Sequence, residues 1–321
     1  MNRKQLFTVA NILISIVLVA ALLYYVGIGD VLRDAVKINL DYLLLALIFL
    51  FVMDLVMSYR IKVLLDDMKE KMNFIDVLKC HFVGMLAADF TPARAGYFAT
   101  AAALRLNYKI PSEKAMLSIF GPQIFDFAAK VILGTAAMLY LLTYVLKTND
   151  GWMLFVGAVL LCGIIAVMLL MLFSSRFIKL FSFAEKIPLV SKIYSIMVKM
   201  QDNAHHVVKR AGLLTILIFV SWFAKGLSWY FVAKAVGITL NVGYPEPLFY
   251  FFLQPLVTML EFVPSTTIAG LGLSEGANVL IFSLFGIAPA QAMLFALVAR
   301  FKTTLLHLPA VPEALKIYHA E

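Results

Sequence analysis

The sequence has few charged residues and few cysteines. Charged residues make up 14% of its 321 residues, whereas hydrophobic residues make up 63%. A soluble domain carries about 25% charged and about 45–50% apolar residues. The two cysteines, Cys80 and Cys162, lie in separate apolar segments without a CxxC partner. Neither a disulfide framework nor a thiolate metal site is therefore expected.

Nucleotide-binding and metal-binding motifs are also missing. The sequence has no P-loop and no glycine fingerprint of a dinucleotide-binding fold, and it offers no room for a βαβ unit. The five histidines have no metal-ligand spacing with cysteine or carboxylate residues, so we expect no metal and no cofactor. The net charge of +8 does not indicate nucleic acid, because the basic residues follow a membrane-protein distribution.

Long apolar stretches dominate what is present. A run of about 20 apolar residues can cross a bilayer as a helix. Six such spans are predicted, at about 6–28, 41–60, 114–146, 152–173, 212–236 and 290–314. We therefore expect an all-α polytopic membrane protein that forms one integral membrane domain over residues 1–321.

Two further apolar regions, about 74–106 and 247–286, are interrupted by polar residues, proline and glycine. Each is too broken for one span but long enough for two half-helices that meet at membrane depth. Irregular backbone is tolerated there only when protein or water shields it. We interpret both regions as re-entrant helical hairpins. A pair of ordinary spans joined by a short loop is the alternative.

The distribution of basic residues predicts the topology. With a cytoplasmic N-terminus, 17 of the 27 basic residues, including Arg60, fall on the inner side, while Arg33, Lys37 and Lys147 fall in outer loops. Basic loops remain in the cytoplasm. Both termini are therefore predicted to be cytoplasmic, and the two hairpins are predicted to enter from opposite faces. That arrangement is typical of inverted-repeat transporters, although the two halves share no evident sequence identity.

The sizeable polar stretch at about 174–210 alternates apolar and basic residues. This pattern predicts an amphipathic helix on the inner membrane surface, where anionic lipid would attract it. A solvated cytoplasmic loop is the alternative.

Ten charged side chains lie inside the apolar stretches and indicate where the function resides. A charge near the bilayer centre costs about 2.5–3.5 kcal/mol on insertion scales, so such groups face a polar interior and pair with one another. The acids are Asp54, Asp89, Asp126, Glu261 and Glu275, and the bases are Arg94, Lys130, Lys225, Arg300 and Lys302. We expect a polar cavity at membrane depth.

The first interrupted region contains Thr91-Pro92-Ala93-Arg94. Threonine is a good N-cap and proline suits the first helical turn, so a half-helix is predicted to start here. Its N–H groups and the Arg94 side chain would together bind a phosphate or a carboxylate. A structural ion pair between Asp89 and Arg94 is the alternative.

Asp126 and Lys130 are four residues apart with the acid first, which is the favourable order for an ion pair within one helix. Mutual neutralisation is one interpretation. The other is that Asp126 orients a base from another helix or carries a proton.

The second interrupted region has its densest polar stretch between Glu261 and Glu275. Gly270 and Gly272 allow close backbone approach. Glu275 is predicted to lie in the first turn of a short helix at about 276–285 and to point into the cavity. Its candidate partners are Arg300, Lys302 and Lys225.

At these residues the chain resembles the lysylphosphatidylglycerol synthase transmembrane region family, also described as flippase-like or UPF0104-type membrane proteins. The family includes the flippase part of the bacterial multiple peptide resistance factor. The matching pieces are Thr91-Pro92-Ala93-Arg94-Ala95-Gly96 with Leu104, Asp126, Pro264 with Gly270-Leu271-Gly272-Leu273-Ser274-Glu275, and Phe285-Gly286 through Ala292 followed by Arg300. The resemblance covers about residues 5–316.

The chain departs from the family pattern at Tyr97, Gln123 and Ile268-Ala269, where members often carry Glu, Arg and Pro-Gly. A different lipid headgroup is therefore expected. The resemblance implies translocation of an anionic or phosphate-bearing lipid, such as a modified phospholipid or a polyprenyl-phosphate-linked sugar. We expect a cell-membrane protein that is not an enzyme.

The alternative function is that of a membrane enzyme or structural subunit in lipid-linked glycan or phospholipid biosynthesis. The expected partner is a membrane lipid, and a homo-oligomer or a biosynthetic enzyme partner is left open. The candidate substrate-binding residues are Asp89, Thr91, Arg94, Asp126, Lys130, Lys225, Glu261, Gly270, Gly272, Glu275 and Arg300.

Overall fold

A computed structural model of the chain describes residues 3–146, 151–182, 188–261, 267 and 270–320. Regular secondary structure in these ranges is entirely helical, which confirms the predicted all-α class. The α-helices are α1 (Arg3–Val26), α2 (Ile28–Ala35), α3 (Leu40–Asp67), α4 (Phe74–Asp89), α5 (Ala99–Tyr108), α6 (Ser112–Tyr140), α7 (Gly151–Phe173), α8 (Ser175–Lys179), α9 (Pro188–Lys209), α10 (Ala211–Ala235), α11 (Glu246–Glu261), α12 (Leu273–Ser283), α13 (Pro289–His307) and α14 (Val311–Ala320). Pro92–Phe98 and Leu308–Ala310 form 3-10 helices, and Leu141–Leu146 forms a π-helix.

Several helices are suited to crossing a bilayer. In the described part of the chain, four stretches are long and apolar enough, namely Leu40–Asp67, Ser112–Val145, Ala211–Ala235 and Pro289–Lys316. The pair α1 and α2 meets the same criterion but bends by 85° at Gly27, whose φ of 86° suits glycine. The chain is therefore a multi-pass membrane protein with four or five candidate spans in the described ranges.

The first interrupted region folds as α4, the 3-10 helix and α5, which we term the first broken segment (residues 74–108). A helix does begin at the predicted position, with Thr91 as its N-cap and Pro92 in its first turn, but Pro92–Phe98 is a 3-10 helix and the α-helix α5 begins only at Ala99. Arg94 explains the interruption, since its φ of 54° lies outside the α-helical range. The Thr91 hydroxyl stabilises this turn by accepting a hydrogen bond from the Gly96 N–H at 2.7 Å.

The second interrupted region contains α11 and α12, and we term it the second broken segment (residues 246–283). Its helix α12 begins at Leu273 rather than near residue 276. The earlier start is stabilised by Glu275 in the first turn, because its Oε2 accepts a hydrogen bond from the N–H of Gly272, the residue before the helix, at 2.7 Å. Lys147, Pro264, Ile268-Ala269 and the Glu261 side chain lie outside the described residues.

Two apolar cores hold the helices together. One joins α3 to α6 with α9 through side chains such as Leu65, Leu104 and Leu117. The other joins α10 to α13 through side chains such as Val232 and Phe295. The cavities described below are lined by residues from helices of both cores.

The polar stretch at 174–210 contains α8 and α9. The apolar face of α9 packs on protein, since Val207 is buried and a Cβ at Gly121 of α6 would lie 2.7 Å from it. Asp67 at the end of α3 accepts from Arg210 Nη2 at 2.7 Å and contacts His206 Nδ1 at 2.5 Å. The amphipathic helix is therefore present, but this apolar face covers α6 instead of lipid.

Candidate functional site

Two adjoining cavities lie among the buried charges. The large cavity, of about 320 Å³, contains Asp126, Lys130, Arg94 and Lys225 in its lining. The small cavity, of about 60 Å³, is lined in part by Asp89, Glu275 and Arg300. The residues that line both are Met53, Met85, Arg94 and Lys225. Seven of the sequence-predicted residues thus line one continuous polar region.

Asp126 is the centre of the charge network at the large cavity. The predicted pair with Lys130 is present, with Nζ donating to Oδ2 at 2.7 Å. Trp222 Nε1 on α10 donates to Oδ1 at 3.0 Å, and Arg60 Nη1 lies 4.0 Å from the same oxygen. Asp126 therefore joins α6 to both α3 and α10.

Arg60 was counted among the bases of an inner loop, but its side chain lies in the protein interior. Helix α3 continues to Asp67, and Arg60 is 1% exposed. Its Nε and Nη1 atoms make no hydrogen bond to any described residue. Hydropathy could not reveal this position, because an arginine near the end of a span usually marks its cytoplasmic end.

The first broken segment contributes Asp89 and Arg94. Arg94 Nη2 donates to Asp89 Oδ1 at 3.1 Å, so the structural ion pair weighed in the sequence analysis is present. The Arg94 side chain also lines both cavities, which leaves its binding role open. Thr91 lines neither cavity; its hydroxyl donates to the Ala87 carbonyl at 2.9 Å and holds the turn.

The second broken segment contributes Glu275, which is 1% exposed. Of its three candidate partners, Arg300 makes the contact, with Nε 2.5 Å from Oε1. Arg300 Nη2 also donates to the Ser274 hydroxyl at 2.7 Å. Lys302 instead donates to the Ser228 hydroxyl on α10.

The remaining predicted residues have different positions. Lys225 Nζ lies 5.1 Å from the centre of the Trp222 ring, within cation–π range. Gly270 and Gly272 line neither cavity and have φ of 69° and 89°. A Cβ at Gly272 would lie 2.7 Å from Leu18 Cβ, so this glycine permits the close approach of α1.

Sequence reasoning missed two histidines. His81 and His307 each place Nε2 at 3.1 Å from an oxygen of Asp54, and all three side chains are fully buried. Their separations of 27 and 253 residues from Asp54 conceal the cluster in the sequence. A membrane-depth aspartate together with a lone histidine in an apolar run is the signal that could have suggested it.

A protein-family model matches the part of the chain that contains these features. The model of the lysylphosphatidylglycerol synthase TM region matches residues 9–310, which include every site residue described above. The chain belongs to that family. A UPF0104 membrane protein of Methanocaldococcus jannaschii is also similar, with 22% identity over 315 residues that cover 92% of this chain and 90% of the relative.

Membership makes the chain a multi-pass membrane protein of lipid metabolism or transport. It also corrects one expectation. The chain was expected not to be an enzyme, but the family is described as the membrane region of a synthase, which points to an enzyme-type activity.

Proposed function

We propose that the two cavities bind the headgroup of an anionic, phosphate-bearing lipid and that the protein moves this lipid across the bilayer. Charge balance is the observation that carries the proposal. Among the described lining residues, three acids face four bases, namely Arg94, Lys130, Lys225 and Arg300. The lining therefore has one more base than acid, and at low dielectric this net positive charge attracts an anion.

The ion pairs suggest how a headgroup would enter. Asp89, Asp126 and Glu275 each contact a base, at 3.1, 2.7 and 2.5 Å. A phosphate would compete with these carboxylates, and an arginine fork can bind its oxygens through two hydrogen bonds. Arg94 and Arg300 are the arginines among the described residues that line the cavities, so we assign the phosphate contact to them.

The rest of the large cavity suits the apolar part of a lipid. Its lining includes Met53, Met57, Met85 and Met168 beside the charged groups. Methionine side chains adapt to apolar ligands of irregular shape. An amphiphile fits this mixture better than a small polar solute.

The proposed topology has both termini in the cytoplasm, six spans, and two broken segments that enter the membrane from opposite faces. It is supported by the excess of basic residues on the predicted inner side, by the break in α-helix near Thr91 and by the turn at residues 270–272 before α12. Opposed broken helices allow each half of the site to face one side of the membrane in turn.

Proteoliposomes with fluorescent phosphatidylglycerol test the translocation. Dithionite bleaches only the outer leaflet, so wild-type protein is expected to expose the inner pool faster than protein-free vesicles. Arg94→Gln should slow this exposure at least tenfold, and Arg94→Lys should restore part of it, because lysine keeps the charge but loses the bidentate fork.

Arg33→Gln is the matched control, because Arg33 is exposed and pairs with Asp30 near the surface. It should translocate phosphatidylglycerol at the wild-type rate. A folded Arg94→Gln protein that matches the wild type, or a wild type no faster than empty vesicles, would contradict the proposal.

The family description favours a second candidate, in which the cavity holds a lipid whose headgroup is modified. Lipid mass spectrometry of cells that express the wild type or Arg94→Gln separates the two. A new lipid mass that requires Arg94 supports synthesis. An unchanged composition with altered leaflet exposure supports translocation.

A further inference from the structure

Two buried histidines link the interior of the helix bundle to the cavity walls. His81 on α4 and His307 at the end of α13 both direct Nε2 at Asp54 on α3, each at 3.1 Å. Asp54 Oδ1 contacts His81 and Oδ2 contacts His307. With Asp54 ionised, both Nε2 atoms must carry a hydrogen, because a carboxylate only accepts.

The second ring nitrogens reach groups that line the cavities. His81 Nδ1 lies 3.4 Å from Tyr97 Oη, and Tyr97 lines the large cavity. His307 Nδ1 lies 3.8 Å from Asp89 Oδ2, and Asp89 lines the small cavity. Each imidazole therefore lies between Asp54 and one cavity.

The two histidines differ in what their Nδ1 atoms meet. A neutral imidazole that donates through Nε2 has an acceptor at Nδ1. His81 can accept there from the Tyr97 hydroxyl, whereas His307 Nδ1 is buried without a hydrogen bond to any described residue and faces a carboxylate. A proton added at His307 Nδ1 would therefore meet the Asp89 carboxylate. This carboxylate already has Arg94 at Oδ1 and the Thr304 hydroxyl at 3.5 Å from Oδ2.

The other charged groups around this cluster come from four elements. Asp54 and Asp89 favour a proton at His307, and the nearby bases oppose it. Those bases are Arg60 on α3, Arg94 in the 3-10 helix, Lys225 on α10 and Lys302 on α13. In the described part of the chain, no group of three or more ligand side chains is arranged to hold a metal ion.

We propose that Asp54, His81, His307 and Asp89 form a proton-binding site that couples proton uptake to the binding of an anionic lipid. This inference rests on the proposed function. A phosphate that takes Arg94 leaves Asp89 without its basic partner at 3.1 Å. A proton from the aqueous phase on His307 Nδ1 then supplies a new positive partner for Asp89. One anion and one proton enter together, so the buried net charge does not change.

Calorimetry with soluble dioctanoyl-phosphatidylglycerol on the detergent-purified full chain measures this linkage. Titrations in PIPES and in imidazole, buffers of different ionisation enthalpy, give the number of protons taken up on binding. The wild type should take up about one proton per lipid, so the Kd should rise about tenfold per unit increase in pH above the His307 titration. His307→Gln keeps an amide donor for Asp54 but cannot take the proton, and should bind with no uptake.

His81→Gln is the matched variant. It also replaces a histidine that contacts Asp54, but the Nδ1 atom of His81 already has a hydrogen-bond partner in the Tyr97 hydroxyl. It should retain the proton uptake of the wild type. His205→Gln, at an exposed position of α9, controls for the loss of any histidine.

The outcomes separate the two proposals. Absence of lipid binding by the wild type overturns both of them. Lipid binding with equal heats in the two buffers overturns the proton site alone, and this measurement needs no variant to fold. Undiminished uptake by His307→Gln also overturns it.

Discussion

The two broken segments carry similar sequence features but form their ion pairs differently. In the first, Asp89 and Arg94 are five residues apart and pair within the same turn. In the second, Glu275 pairs with Arg300 on α13, 25 residues away. A headgroup that takes Arg94 needs only a side-chain movement, whereas one that takes Arg300 breaks a tie between α12 and α13. The second segment is therefore the better candidate for a moving element.

The two segments also differ in how their backbones pack. The first segment is closed on itself, since α4 and α5 pack directly and a Cβ at Gly84 would lie 1.8 Å from Thr100 Oγ1. The glycines at the turn of the second segment, Gly270 and Gly272, have positive φ instead. Direct packing of its own helices thus characterises the first segment, and glycines with positive φ before α12 characterise the second.

The largest effect is expected in a test of whether the two segments enter the membrane from opposite faces. Each introduced cysteine should be labelled from one side of the membrane and not from the other. Cysteine placed at exposed Asn107, near the end of α5, should react with an impermeant maleimide only from the cytoplasmic side. Cysteine at exposed Asn241, before α11, should react only from outside. Cys162 is exposed and must first be replaced by serine. Labelling of both positions from one side would refute the opposed arrangement.

The largest stability effect is expected at the long-range pair. Arg300→Gln leaves the buried Glu275 carboxylate without its cation, and Glu275→Gln leaves the partly buried Arg300 without this carboxylate. Each should lower the free energy of unfolding, the first by about 3–5 kcal/mol and the second by less. The double variant should lose less than the sum of the two. Denaturation in detergent measures the cycle, with Arg33→Gln as the surface control. Strictly additive losses would mean that the two side chains do not interact.

Close packing in the first segment predicts the next effect. A Cβ at Gly96 would lie 2.3 Å from the Ala87 carbonyl carbon and oxygen, so Gly96→Ala must displace the backbone. The expected loss of stability is about 1–3 kcal/mol. Thermal melts monitored by circular dichroism can detect it. A melting temperature equal to that of the wild type would show that the 3-10 helix packs less tightly on α4 than this distance indicates.

At Arg94, two substitutions can distinguish the effect of losing the positive charge from the effect of the positive φ. Its φ of 54° strains any residue with a Cβ, so Arg94→Gly should be about 1 kcal/mol more stable than Arg94→Ala. Both variants lose the cation and should be equally slow in phosphatidylglycerol translocation. Equal stability of the two would indicate that the positive φ costs little at this turn.

The smallest effect is expected at Gly276 in α12. A Cβ there meets only Leu22, at 3.9 Å, which is ordinary contact. Gly276→Ala should therefore stabilise the helix by about 0.5–1 kcal/mol, opposite in sign to Gly96→Ala. The same melts compare the two. A loss at both positions would remove the contrast between the segments.

Hydropathy located helices well but judged their ends poorly. The second span was predicted to end at residue 60, yet α3 continues to Asp67. The last residues of a span resemble a cytoplasmic loop in composition, so the burial of Arg60 could not be anticipated. The 3-10 helix at Pro92–Phe98 was missed for a similar reason, because threonine and proline are equally suited to start an α-helix.

The sequence by itself determined which stretches are helical, where the first of the two interrupted regions breaks, and which charges to expect in the interior, apart from Arg60. Those properties depend on local composition and on the cost of exposing backbone or charge to hydrocarbon. Only the tertiary structure decided the partners: Asp126 with Arg60 and Trp222, Asp54 with its two histidines, and Arg300 among three candidate bases. Partners far apart in the chain meet because helices pack side by side, and a linear pattern of residues does not specify that packing.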